Sequence, residues 1–100
     1  MPEPEHEITR LLVAMQDGED AARDALIPLV YDELRVLARG RLRREHGART
    51  VSATDLVHEA YLRVLGRTGP GFDNRAHFFS AAAEAMRRVL IDRARSEEHT

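Results

Sequence analysis

The chain of 100 residues has no cysteine, no tryptophan and no lysine. Without cysteine there is no disulfide framework and no thiolate metal site, a usage that fits a reducing cytoplasm. No stretch approaches the roughly 20 apolar residues that a membrane span needs. The acidic N-terminus, Met-Pro-Glu-Pro-Glu-His-Glu, lacks the apolar run of a signal peptide. A soluble, cytoplasmic protein is expected, with no membrane partner. Strand signals are also missing, since no two-residue alternation is sustained and no hairpin turn separates β-branched runs. Nowhere do a nucleophile, paired carboxylates or a ligand cluster converge in spacing. The reading is not an enzyme, and it calls for no cofactor and no metal.

What is present is enough apolar content, 43%, to close one small core. All fifteen basic residues are arginine, an excess for which the codon usage of a GC-rich genome is sufficient cause. The net charge of −2 conceals an asymmetry. Residues 1–34 carry nine acidic residues against two arginines, net −7, and residues 35–95 carry thirteen arginines against six acidic residues, net +7. Separation of this kind favours contact with a polyanion through one half of the molecule.

Helical periodicity runs almost throughout. Ile8, Leu11, Leu12 and Met15 have the spacing of a short first helix, which Asp17-Gly18 ends. A second helical region extends from about Asp20 to Arg44. Its stripe is Ile27, Tyr31, Leu34, Ala38 and Leu42, widened by Leu26, Val30 and Leu37. Pro28 costs about 3 kcal/mol inside a straight helix, so it is expected to open the main helix or to mark a kink. The basic end, 39–44, suits a helix C-terminus, and residues 45–48 break the helix. Ser52 and Asp55 have capping-box spacing ahead of a third helix that ends near Leu65. Residues 66–71 hold three glycines and a proline and form a loop. Asp73 or Asn74 then caps a fourth helix to about Arg95. The expectation is an all-α, compact four-helix domain over residues 1–95.

On the third helix Leu56, Val57, Ala60, Val64 and Leu65 share the buried side, with Tyr61 at the edge. Asp55, His58, Glu59 and Arg63 point away, and Leu62 falls among them. That leucine is either an ordinary surface residue or the anchor of a protein interface with a charged rim. His58-Glu59 resembles the start of a zinc-protease helix, but Leu62 stands where the second histidine belongs, and a metal site is excluded.

On the fourth helix Phe78, Phe79, Ala82, Met86, Val89 and Leu90 form the core stripe. His77, Ser80, Glu84, Arg88 and Arg95 lie opposite, with Arg87 on the flank. The pattern degrades at the end, where Ile91 falls on the polar side and Arg93 on the apolar side. Such an end has left its core or meets something outside this chain. Phe72 is the one large apolar residue of the preceding loop. Either it folds back over the core, or it stacks on a flipped base beside Asp73, Asn74 and Arg75.

These stretches carry a resemblance. Leu29-Val-Tyr-Asp-Glu-Leu-Arg-Val-Leu-Ala38, Asp55-Leu-Val-His-Glu-Ala-Tyr-Leu-Arg-Val-Leu65 and Asn74-Arg-Ala-His-Phe-Phe79, continuing to residues 91–95, resemble region 2 of a bacterial sigma factor. The family is sigma-70, of the extracytoplasmic-function (ECF) type, and the match covers about residues 5–95. The resemblance implies a transcription initiation factor that binds the RNA polymerase core and the −10 promoter element. Asp55, His58, Glu59, Leu62 and Arg63 would dock on the clamp helices of the polymerase β′ subunit. Many sigma factors have glutamine at the position of His58. Phe72, Asp73, Asn74, Arg75, His77 and Ser80 would face unstacked bases, while Arg87, Arg88 and Arg95 would contact phosphates. An anti-sigma factor is a further partner of such proteins.

The family continues into a second helical domain for the −35 element, and this sequence stops before it. Residues 95–100, Arg-Ser-Glu-Glu-His-Thr, match a peptide encoded by common sequencing-adapter DNA. The expectation is a truncated reading frame with 96–100 a non-native or disordered tail. The alternative function is a helical protein-interaction module that binds polymerase or another partner without promoter recognition.

Overall fold

A computed structural model describes residues 4–44, 51–66 and 71–98. Four helices follow in order: α1, Pro4–Gln16; α2, Asp20–Arg44; α3, Ala53–Leu65; and α4, Arg75–Glu98. The described residues contain no strand, and the fold is all-α as the periodicity predicts. The expected break at 45–48 and most of the expected loop, 67–70, lie outside the described residues. Helix α4 runs past Arg95 to Glu98.

Local chemistry sets most of the ends. Gly18 has φ 87°, the left-handed conformation that ends α1. Its N–H donates to the Met15 carbonyl at 3.1 Å, and that of Glu19 to the Ala14 carbonyl at 3.2 Å. This is the Schellman pairing, which satisfies two carbonyls of the last turn. Ser52 caps α3, its Oγ accepting the Asp55 N–H at 3.1 Å.

Pro28 lies within a helix rather than at its start. Asp20–Arg44 is a single helix with the proline inside it, so Pro28 does not open the main helix. Its ring faces solvent, while Ala22, Leu26, Val30, Leu34 and Ala38 on the opposite side are buried. Burying one large aliphatic side chain contributes about 1.5–3 kcal/mol, and several in register outweigh the local proline penalty of about 3 kcal/mol. The stripe is therefore centred on Leu26, Val30 and Leu34. Ile27, Tyr31, Leu37 and Leu42 sit half-buried at its margins.

Helix α2 packs against α1, α3 and α4, and α3 lies against α4. Phe78 is the hub of the core, with no exposed surface. Its ring meets Phe79, Phe72 and Tyr61 edge-on, at centroid distances of 5.3, 5.5 and 6.5 Å. Edge-to-face pairs of this kind add about 0.5–1.5 kcal/mol each beyond area burial. Tyr61 keeps its polar end satisfied by donating to the Arg23 carbonyl at 3.3 Å. Burial pushes its phenol pKa up.

Candidate functional site

The polar side of α3 forms as the spacing predicts. Leu56, Val57, Ala60, Tyr61 and Val64 are buried, which turns Asp55, His58 and Arg63 out to solvent. Leu62 is 70% exposed, the most exposed large apolar side chain described. It lies on the lip of a groove of about 360 Å³ between α3 and α2, which Ile27, Tyr61 and Leu65 also line.

Two members of this face are engaged within the fold. Arg63 donates to Asp92 at 3.0 Å, and half-buried Glu59 pairs with Arg93. Both pairs tie α3 to the last third of α4. They explain why the periodicity of α4 fails near its end: Arg93 leaves the apolar stripe to reach α3, a partner within this chain. The misfit at Arg93 was legible in the sequence, but its partner was not.

The start of α4 is a reciprocal cap. Asn74 Oδ1 accepts the His77 N–H at 2.9 Å, and His77 Nδ1 accepts the Asp73 N–H at 3.2 Å. Of the two expected caps, Asn74 takes the role. Asp73, Asn74, His77 and Ser80 are exposed together. Arg75 is drawn back onto the fold, paired with Glu33 and with its guanidinium 4.7 Å from the Phe79 ring centroid.

Phe72 does not join the exposed group. It is only 8% exposed, with its ring edge-on to His77 at 5.2 Å and to Phe78 at 5.5 Å. Of the two sequence readings, folding back over the core is the one observed. A base could not stack on this ring where it lies. The available signal was its place just ahead of the helix cap, from which an apolar residue reaches the fourth helical position, here Phe78, much as a hydrophobic staple does.

Along α4, Glu84 accepts from Arg87 at 2.9 and 3.2 Å and lies 3.8 Å from Arg88. The Arg87 hydrogen bonds hold the Glu84 carboxyl below its usual range, assisted by the nearby charges of Arg88 and Arg41. Arg95 is exposed. The expected phosphate contacts Arg87 and Arg88 thus share one carboxylate, and the end of α2 lies close enough for Arg41 to act on it. Among the described residues no group of three or more His, Cys, Asp or Glu side chains could hold a metal ion. Nor, among them, is any helix long and apolar enough to cross a membrane.

The chain belongs to the ECF sigma factor family, whose model matches residues 5–100. It is accordingly a transcription initiation factor, with RNA polymerase and promoter DNA as its partners in general terms. Neither the curated proteins nor the solved structures include a match to it.

Proposed function

We propose that α3 docks on the clamp helices of the polymerase β′ subunit and that the start of α4 reads and helps to melt the −10 element. The observation that carries the docking half is Leu62, exposed beside a groove that Ile27, Tyr61 and Leu65 line together with Arg23 and Asp24. An exposed leucine ringed by Asp55 and His58 has the anatomy of an interface anchor with a polar rim. Glu59 and Arg63 would stand at the far side of this interface, pre-ordered by Arg93 and Asp92. For DNA, the exposed Asp73, Asn74, His77 and Ser80 would meet unstacked bases, with Arg75 behind them. Arg87, Arg88 and Arg95 would contact phosphates. Phe72 acts from beneath by supporting His77. The place of action is the cytoplasm, and an anti-sigma factor that covers either face would regulate it.

The test is capture of the chain on purified β′ clamp helices, with and without Leu62→Arg. Retention of the intact chain and loss of the variant supports docking through this face. Equal retention of both removes it. The burial of Phe72 favours one second reading, an interaction module that binds polymerase without reading DNA. Salt-sensitive binding of single-stranded −10 DNA in the presence of polymerase separates the two.

A further inference from the structure

The last ten residues of α2 carry five arginines, Arg35, Arg39, Arg41, Arg43 and Arg44, and no carboxylate. Elsewhere Arg10, Arg63, Arg75, Arg87, Arg88 and Arg93 each hold an acidic partner, while Arg23 and Arg95 make no ion pair among the described residues. Arg39, Arg43 and Arg44 are exposed and, among the described residues, make no ion pair. A helix C-terminus welcomes cations, but that effect fades within the last turn and does not reach Arg39. Arg39 and Arg43 stand four residues apart, a spacing at which like charges repel. The dipole accounts for Arg43 and Arg44 and leaves Arg39 without a local reason.

Their position supplies one. Glu33 of α2 pairs with Arg75 at the start of α4, and Arg41 of α2 acts on Glu84, nine residues further along α4. The two helices therefore run side by side in the same direction. Nine residues rise about 13 Å, or about four base-pair steps of B-form DNA. Past Arg41 the last turn of α2 lies beyond the level of Glu84, so Arg43 and Arg44 add positive charge at the same end of the molecule as Arg87 and Arg88.

We propose that the C-terminal end of α2, through Arg39, Arg43 and Arg44, is a second phosphate-binding surface for promoter DNA. It contacts backbone about four nucleotides from the bases met at the start of α4. This inference rests on the DNA half of the proposed function. Arginines without internal partners release counterions on meeting phosphates, so the surface adds affinity and salt dependence and leaves sequence choice to α4.

The experiment assembles the chain with RNA polymerase core and titrates salt against a forked duplex carrying a −10 element. Arg39→Gln/Arg43→Gln/Arg44→Gln should lower the slope of log K against log salt by about two to three. The corresponding triple lysine variant should restore it, because charge rather than guanidinium shape is required. Trimming the duplex beyond about four base pairs from the −10 bases should bring the wild-type slope down to that of the glutamine variant. An unchanged slope in a folded glutamine variant overturns the proposal. So does lost polymerase capture with DNA binding intact, which would assign the surface to an acidic protein face. If the wild-type assembly binds no DNA, the proposed function fails first, and the surface has no DNA to bind.

Discussion

The side-chain amide of Gln16, the last residue of α1, donates to the carbonyl of Phe72 at 3.0 Å across 56 positions of sequence. A Cβ at Gly71 would overlap the Gln16 side chain, so glycine permits this approach. The contact pins the chain just ahead of α4, where Asp73, Asn74 and His77 close the helix cap. The end of α1 thereby helps to set the pose of the candidate base-reading segment.

Gln16→Ala leaves the Phe72 carbonyl without this donor and should cost about 1 kcal/mol, a fall in Tm of about 4–8 °C for a domain of this size. Gly71→Ala should cost a similar amount by displacing the same amide. The double variant should lose little more than either single one, because alanine at 16 makes room for alanine at 71. A double-mutant cycle by thermal denaturation measures this, and full additivity would count against the coupling.

Phe72→Ala should behave as a core truncation, costing about 3–5 kcal/mol, while Phe72→Leu keeps most of the stability. If DNA binding by the folded leucine variant matches wild type, the ring serves the core. A selective loss of −10 binding without a change in Tm would return Phe72 to the bases.

Leu62→Arg should shift stability by no more than about 0.5 kcal/mol, because the side chain lies in solvent. Circular dichroism melting of this variant therefore separates lost docking from lost folding. A large drop in Tm would mean that Leu62 closes the groove against Ile27 rather than awaiting a partner.

Glu84→Gln should strengthen DNA binding and steepen its salt dependence by up to about one, since it removes a negative charge beside Arg87 and Arg88. The folded pKa of Glu84 lies below its ordinary value of 4.5. Its ion pairs are thus fully formed above that value and are lost as pH falls through the lower folded pKa. Wild type and variant should differ from neutral pH down to about 4.5 and converge only in stronger acid. Salt titrations at two pH values test this.

The start of α4 shows how far local reading reaches. Asn74 as cap, the stripe Phe78, Phe79, Ala82, Met86, Val89 and Leu90, and the outward set His77, Ser80 and Arg88 all follow from spacing and cap chemistry. Phe72 sits a few residues away, and spacing could not decide it. Its burial draws on Phe78, six residues on, but also on Gln16 of α1, which no local window contains.

By itself, the sequence determined the four helices, the Gly18 and Ser52 ends, the apolar stripes of α1, α3 and α4 and the exposure of Leu62, because each arises from interactions within a turn or two. Tertiary structure alone decided the rest. Helix α2 continues through Pro28 because Leu26, Val30 and Leu34 are buried against other helices. Glu59 and Arg63 are committed to Arg93 and Asp92. Those outcomes depend on contacts between residues distant in sequence, which the spacing within any one helix does not contain.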